Sequence, residues 1–156
     1  MKKIFYLIIL VAGLFSCKQK EVEVITMNHT RPIEELKQLV LEKGDTIAYD
    51  ELLIAFLDKT KEESLVYSMF MAHRYHYPSA YFDVYSCLMD ASESYGKTID
   101  EETKRIAIEY LKKGAELKNC SSLLALSTLY MEGTYIPKDT VMGKKLIEER
   151  RKICGF

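Results

Sequence analysis

His73 and His76 are the side chains whose spacing comes closest to a metal site, because residues three apart on a helix share one face. With a carboxylate such as Asp83 they could supply three ligands to zinc. The third histidine, His29, lies in a stretch without helical periodicity. The sequence also contains no Gly-rich phosphate loop, no G-x-S-x-G and no H-E-x-x-H. It therefore predicts no catalytic residue, no metal site and no cofactor, and the alternative to a zinc site is two exposed histidines beside a tyrosine-rich turn.

Cys17 is the cysteine whose position in the chain suggests covalent chemistry. It follows two lysines, an apolar run from Ile4 to Phe15 and the small residue Ser16. This tripartite order is typical of a secretory signal. The run contains 12 residues, whereas a helix needs roughly 20 to cross a bilayer of about 30 Å. Residues 1–16 are therefore predicted to be a signal that is removed, rather than a retained membrane anchor.

The sequence Leu14-Phe15-Ser16-Cys17 resembles the lipobox of bacterial lipoproteins, although Phe15 is bulkier than the usual residue. In that family the cysteine thiol receives a diacylglycerol, and the new amino end is then acylated. The resemblance implies a mature chain that is lipidated at Cys17 and held on a membrane, since two or more acyl chains give stable anchoring at about 0.8 kcal/mol per buried CH₂. Lys18, where some Gram-negative lipoproteins carry an acid, implies the outer membrane. The alternative is an ordinary signal peptide with Cys17 as a bystander.

The charge and cysteine content of the mature chain limit its function. Without the signal, 140 residues remain, with 20 basic and 23 acidic side chains and a formal charge of −3. This balance gives no support to nucleic-acid binding, which favours a basic face. Cys87, Cys120 and Cys154 are an odd number, so at least one is expected to be unpaired. Cys87 and Cys120 lie in apolar helical patterns and are predicted to be buried thiols that pack as small hydrophobic side chains.

The periodicity of the apolar residues predicts an all-α domain over residues 32–156, preceded by a lipidated linker over 17–31. The expected starts and stops are N-caps at Asp45, Asp100 (or Thr98) and Asp139, and C-terminal glycines at Gly44 and Gly133. The predicted core-facing stripe of the third helix is Leu65, Met69, Ala72 and His76. The fourth helix is apolar nearly all round and is expected at the centre of the domain. About seven helices are predicted, at residues 33–42, after 45, 60–76, 79–91, 100–118, 121–132 and after 139.

The second half of the chain carries a repeat-like pattern of small residues, tyrosines and glycine. It resembles the Sel1-like repeat, a relative of the tetratricopeptide repeat, in which small residues lie where two helices touch. The resemblance implies antiparallel helix pairs stacked as a short α-solenoid. Some secreted members carry a disulfide in each repeat, but this chain is expected to lack the paired cysteines. The residues that carry the pattern most clearly are Ala107, Tyr110, Ala115, Leu126, Tyr130, Gly133 and Asp139.

A cluster of tyrosines around the third helix junction is the predicted binding surface. Tyr75, His76, Tyr77 and Tyr81 are proposed to contact a partner, since tyrosine is enriched at interfaces. The alternative is that these residues pack in the core. The predicted function is a non-enzymatic, lipid-anchored envelope protein that binds another protein. Two further hypotheses are an immunity protein against an envelope-delivered toxin, and a wall-modifying hydrolase.

Overall fold

The computed structural model describes residues 31–57, 61–94 and 99–155, and within them the chain is all-α, as predicted, with seven helices and no strand. The predicted signal, Cys17 and most of the predicted linker lie outside the described residues. The first helix continues into a π-helical turn over Leu39–Lys43. The helices are α1 Ile33–Gln38, α2 Thr46–Leu57, α3 Lys61–Tyr75, α4 Pro78–Ser94, α5 Glu101–Glu116, α6 Cys120–Glu132 and α7 Thr140–Cys154.

The helices stack in the order of the sequence. Each packs on its neighbours along the chain, and α4 also contacts α6. Among the described residues, the backbones of α1 and α2 do not approach those of α5, α6 or α7. Such nearest-neighbour packing is the arrangement of a helical solenoid. Helices α4 and α6 each contact three other helices.

Two hydrophobic clusters form the core. The first joins α1 to α4 around Tyr49, Leu52 and Phe56. The second joins α5 to α7 around Leu111 and Leu123, with aromatic side chains of α4 packed against it. Because α4 contributes side chains to both hydrophobic clusters, it connects the two halves of the stack.

Helix ends follow the local chemistry that the sequence predicted. The Asp45 carboxylate accepts hydrogen bonds from the backbone N–H groups of Ile47 and Ala48, at 3.0 and 2.9 Å. Asp100 and Asp139 cap α5 and α7 in the same way. Gly44 and Gly133 end their helices with φ of 63° and 79°, a conformation that favours glycine. The alternative cap Thr98, and Thr60 at the predicted start of the third helix, lie outside the described residues.

The predicted inner face of α3 is correct at Ala72 and wrong at Met69 and His76. The buried positions are Ser64, Ser68, Met71 and Ala72, whereas Met69 is 40% exposed and Leu65 is half-buried. His76 lies beyond the end of α3, is exposed and has a φ of 53°. Ser68 can lie in the core because its hydroxyl forms a hydrogen bond with the Tyr49 hydroxyl. A satisfied serine can occupy a core position that apolar periodicity does not reveal.

The prediction that Cys120 is a buried thiol is wrong, because Cys120 and Cys154 form a disulfide. Cys120 is the first residue of α6 and Cys154 is the last residue of α7. The two helices pack antiparallel, so these ends meet, with a Cα–Cα distance of 6.3 Å. The expectation that the repeat lacks paired cysteines is corrected with it. Cys87 lies half-buried on α4 and takes no part in this bond.

Small residues lie where the helices of the second half touch. Gly114 of α5 packs directly on the buried Ser122 of α6, and a Cβ at Gly114 would collide with the serine hydroxyl. Gly143 of α7 packs in the same way on Met131 and on the Ser127 carbonyl. Ala107, Ala115 and Leu126 are buried, whereas Tyr110 and Tyr130 are half-buried. The Tyr130 carbonyl accepts the N–H of Asp139 at 2.9 Å, which fixes the loop before α7.

Candidate functional site

The three tyrosines of the predicted binding surface are held by the domain itself. Tyr81 is only 6% exposed, and its hydroxyl donates to the Ala72 carbonyl at 2.8 Å. Tyr77 packs its ring edge-on against Tyr49, with centroids 5.7 Å apart. Tyr81 therefore lies in the core, where a partner cannot reach it without local opening.

Tyr75 and His76 lie closer to solvent. Tyr75 is half-buried over the π-helical turn, where its ring covers Gly44 and its hydroxyl donates to the Leu41 carbonyl at 3.0 Å. His76 is exposed, and its Nδ1 lies 3.5 Å from the Tyr81 hydroxyl. Of the four predicted residues, His76 is the one that is exposed.

The structure adds His73 and Tyr110 to this region. The His73 Nε2 lies 2.5 Å from the Tyr110 hydroxyl, and the two rings meet edge to face with centroids 5.6 Å apart. This contact joins α3 to α5, whose backbones are not in contact. The Tyr110 ring also lies 6.1 Å from the ring of Tyr81. We call the group formed by the exposed His73 and His76 and the half-buried Tyr110 the turn surface.

The chemistry of the turn surface is that of hydrogen bonding and ring contact. Burial raises the pKa of Tyr110, so its hydroxyl keeps its proton at neutral pH and can donate it. The exposed Arg74 follows His73 in the chain. An imidazole in contact with a phenol suits the polar and aromatic contacts of a protein interface.

A zinc site built from His73, His76 and Asp83 does not form. The Asp83 carboxylate points into the core and accepts a hydrogen bond from the Tyr49 hydroxyl at 2.8 Å. In the part of the chain that the structure describes, no three histidine, cysteine, aspartate or glutamate side chains are placed to hold a metal ion. The two histidines instead face the surface beside Tyr110.

The buried polar group around Asp83 is a feature that sequence reasoning missed. The Tyr49 hydroxyl lies 2.7 Å from the Ser68 hydroxyl as well as donating to Asp83. Burial raises the pKa of Asp83 to about 6, although the hydrogen bond from Tyr49 works against this shift. Burial and the nearby Asp83 carboxylate also raise the pKa of Tyr49. The one available signal was an acid in the middle of an otherwise apolar helix.

A small cavity of about 260 Å³ lies between α5 and the loop before α7. Its charged lining is neutralised within the chain, since Lys104 pairs with Glu101 at 2.7 Å and Arg105 pairs with Glu102 and Glu109. The Lys104 ammonium also lies 5.6 Å from the ring centroid of Tyr135. Most of the charged side chains that line this cavity are therefore paired with one another.

Comparisons with protein-family models, with curated proteins and with solved structures found no match to this chain. Within residues 31–57, 61–94 and 99–155, no helix combines the length and the apolar character needed to cross a bilayer.

Proposed function

We propose that this chain is a lipid-anchored protein of the bacterial envelope whose helical-repeat domain binds another protein through the turn surface. The observation that carries the proposal is the contact between His73 and Tyr110. It places exposed polar and aromatic side chains across two helices of a stack, next to the exposed His76. Stacked helices give a rigid, extended platform on which such groups are pre-positioned.

The packing supports the resemblance to Sel1-like repeats. Ala107 and Ala115 are buried where α5 meets its neighbours, and Gly133 and Asp139 bound the loop between α6 and α7 as that repeat requires. Members of this repeat class act in recognition, so the resemblance favours a non-enzymatic binding role.

The disulfide supports export from the cytoplasm. Disulfides persist in oxidising compartments such as the bacterial periplasm and are rare in the cytosol. The Cys120–Cys154 bond thus agrees with the predicted signal and lipobox-like segment that ends at Cys17.

Metabolic labelling with a fatty acid tests the proposed lipid on Cys17. The wild-type protein should take up the label, and the Cys17→Ser variant should not. A wild-type protein that takes up no label would contradict the lipid anchor.

Capture of a partner tests the binding role. The mature chain, tagged in place of the lipid, is passed over detergent extract of its own cells, and the retained proteins are identified. The double variant His73→Ala, His76→Ala should reduce capture about tenfold or more, since interface anchors contribute over 1 kcal/mol each. Because the variant also removes the contact with Tyr110 and replaces a residue with positive φ, its helical signal is compared with that of the wild type at the temperature of capture.

The matched control for capture is Lys112→Ala. Lys112 is exposed and lies two residues beyond Tyr110, so its side chain points to a different side of α5. Its loss should leave capture unchanged. Equal capture by the wild type and the histidine variant would contradict binding at the turn surface.

The identity of the captured partner separates an envelope adaptor from an immunity protein, because a captured toxin would assign the second role.

A further inference from the structure

The first end of the helix stack presents an apolar face. On α2, Ile47, Ile54 and Leu57 are 69%, 44% and 63% exposed. Their spacing of seven and ten residues places them on one side of the helix, opposite the buried Leu52 and Phe56. Solenoids need terminal units with a polar outer face to stay soluble as single stacks. Helix α2 does not meet that requirement.

This end of the stack is also acidic. Residues 31–57 contain six acidic and three basic side chains, a formal charge of −3. Asp50 is exposed and lies among the aliphatic residues of α2. Partial burial of its carboxyl group raises the pKa of Asp50. We call the surface formed by Ile47, Asp50, Ile54 and Leu57 the α2 face.

The opposite end of the stack has the complementary charge. Residues 140–154 contain five basic and two acidic side chains, a formal charge of +3. Val141, at 79% exposure, lies with the exposed Lys145, Glu148 and Lys152 on the side of α7 that points away from Leu146, and the Lys152 ammonium is 3.9 Å from the Glu148 carboxylate. We call the surface formed by Val141, Lys145 and Lys152 the α7 face. Lysine stems can cover aliphatic surface while their ammonium groups reach a carboxylate.

We propose that the α2 face of one copy of this chain docks on the α7 face of a second copy, so that the stack continues head to tail. Charge selects this arrangement over its alternatives. A symmetric contact between two α2 faces would oppose Asp50 to Asp50, and like charges at close range are unfavourable. An anionic membrane would be repelled by the net charge of −3 on the same end. This contact between two copies does not depend on the other protein that is proposed to bind the turn surface.

Sedimentation of the mature chain carrying Cys17→Ser tests the proposal. The average mass should rise with protein concentration at low salt and fall towards that of a monomer at high salt, because salt screens the charges. Ile54→Lys places a cation opposite the α7 face, and Lys145→Glu places an acid opposite the α2 face. Each variant alone should sediment as a monomer with an unchanged helical signal, since both positions are exposed.

An equimolar mixture of the two variants should associate again, because the intact α2 face of one meets the intact α7 face of the other. A wild-type chain that stays monomeric at every concentration overturns the proposal. So does loss of association in Ile54→Lys but not in Lys145→Glu, which would assign a symmetric α2 contact. Association that appears only after residues 18–27 are deleted also overturns the head-to-tail proposal. In that case the chain's own N-terminal segment would cover the α2 face.

Discussion

Replacing both Cys120 and Cys154 by alanine should lower the free energy of unfolding by about 4 kcal/mol. The bond links residues 34 apart in sequence, and closing a loop of that size removes roughly this much conformational freedom from the unfolded chain. Helix α7 is the last in the stack and packs on α6, so without the bond it should be the first helix to open. Chemical unfolding of the variant and the wild type, and of the wild type with and without a reductant, measures the effect.

The control for the disulfide is Cys87→Ala, which leaves the Cys120–Cys154 pair in place. Its stability should still fall on reduction by the same amount as that of the wild type. Identical unfolding curves for oxidised and reduced wild-type protein would contradict the stabilising role of the bond. Peptide mapping of the non-reduced protein then shows whether Cys120 and Cys154 are joined at all.

Replacing Asp83 by asparagine should stabilise the domain at about pH 8 by about 3 kcal/mol. Burial raises the pKa of this carboxyl in the folded state to about 6, from an ordinary value of 3.8. The folded state therefore holds the proton more tightly than the unfolded state, and the ionised carboxylate costs stability. The free energy of unfolding of the wild type should fall as the pH rises from about 4 to above 6, at about 1.4 kcal/mol per pKa unit.

Asparagine keeps an acceptor for the Tyr49 hydroxyl but carries no charge, so this part of the pH dependence should disappear in Asp83→Asn. The matched control is Asp90→Asn, because Asp90 is exposed on the same helix. It should change the free energy of unfolding by no more than about 0.5 kcal/mol. A destabilised Asp83→Asn at about pH 8, or one that keeps the wild-type pH profile, would contradict the origin assigned to this effect.

The fold was predictable where local chemistry decides it. Asp45 and Asp139 begin helices because a carboxylate can satisfy free N–H groups there, and Gly44 and Gly133 end them because glycine accepts positive φ. The inner face of α3 was not predictable in this way. Ser68 looks like a surface residue until the Tyr49 hydroxyl, 19 residues earlier, is placed beside it.

The candidate site depends even more on tertiary placement. His73 and Tyr110 are 37 residues apart, and no periodicity relates positions on α3 and α5. The tyrosine-rich turn lies in the region of the turn surface, but the same tyrosine pattern suits a core, and Tyr81 is in the core. The pairing of Cys120 with Cys154 likewise follows from which helix ends meet, which spacing alone does not specify.

Photo-crosslinking in intact cells tests the central claim most directly. A photoreactive residue is placed at His76, on the turn surface, and in a second strain at Lys112, an exposed position on another side of α5. We predict one strong crosslinked species from position 76 that contains an envelope protein, and none from position 112. No crosslink from position 76, or the same products from both positions, would contradict the proposal that this surface binds a partner at the membrane.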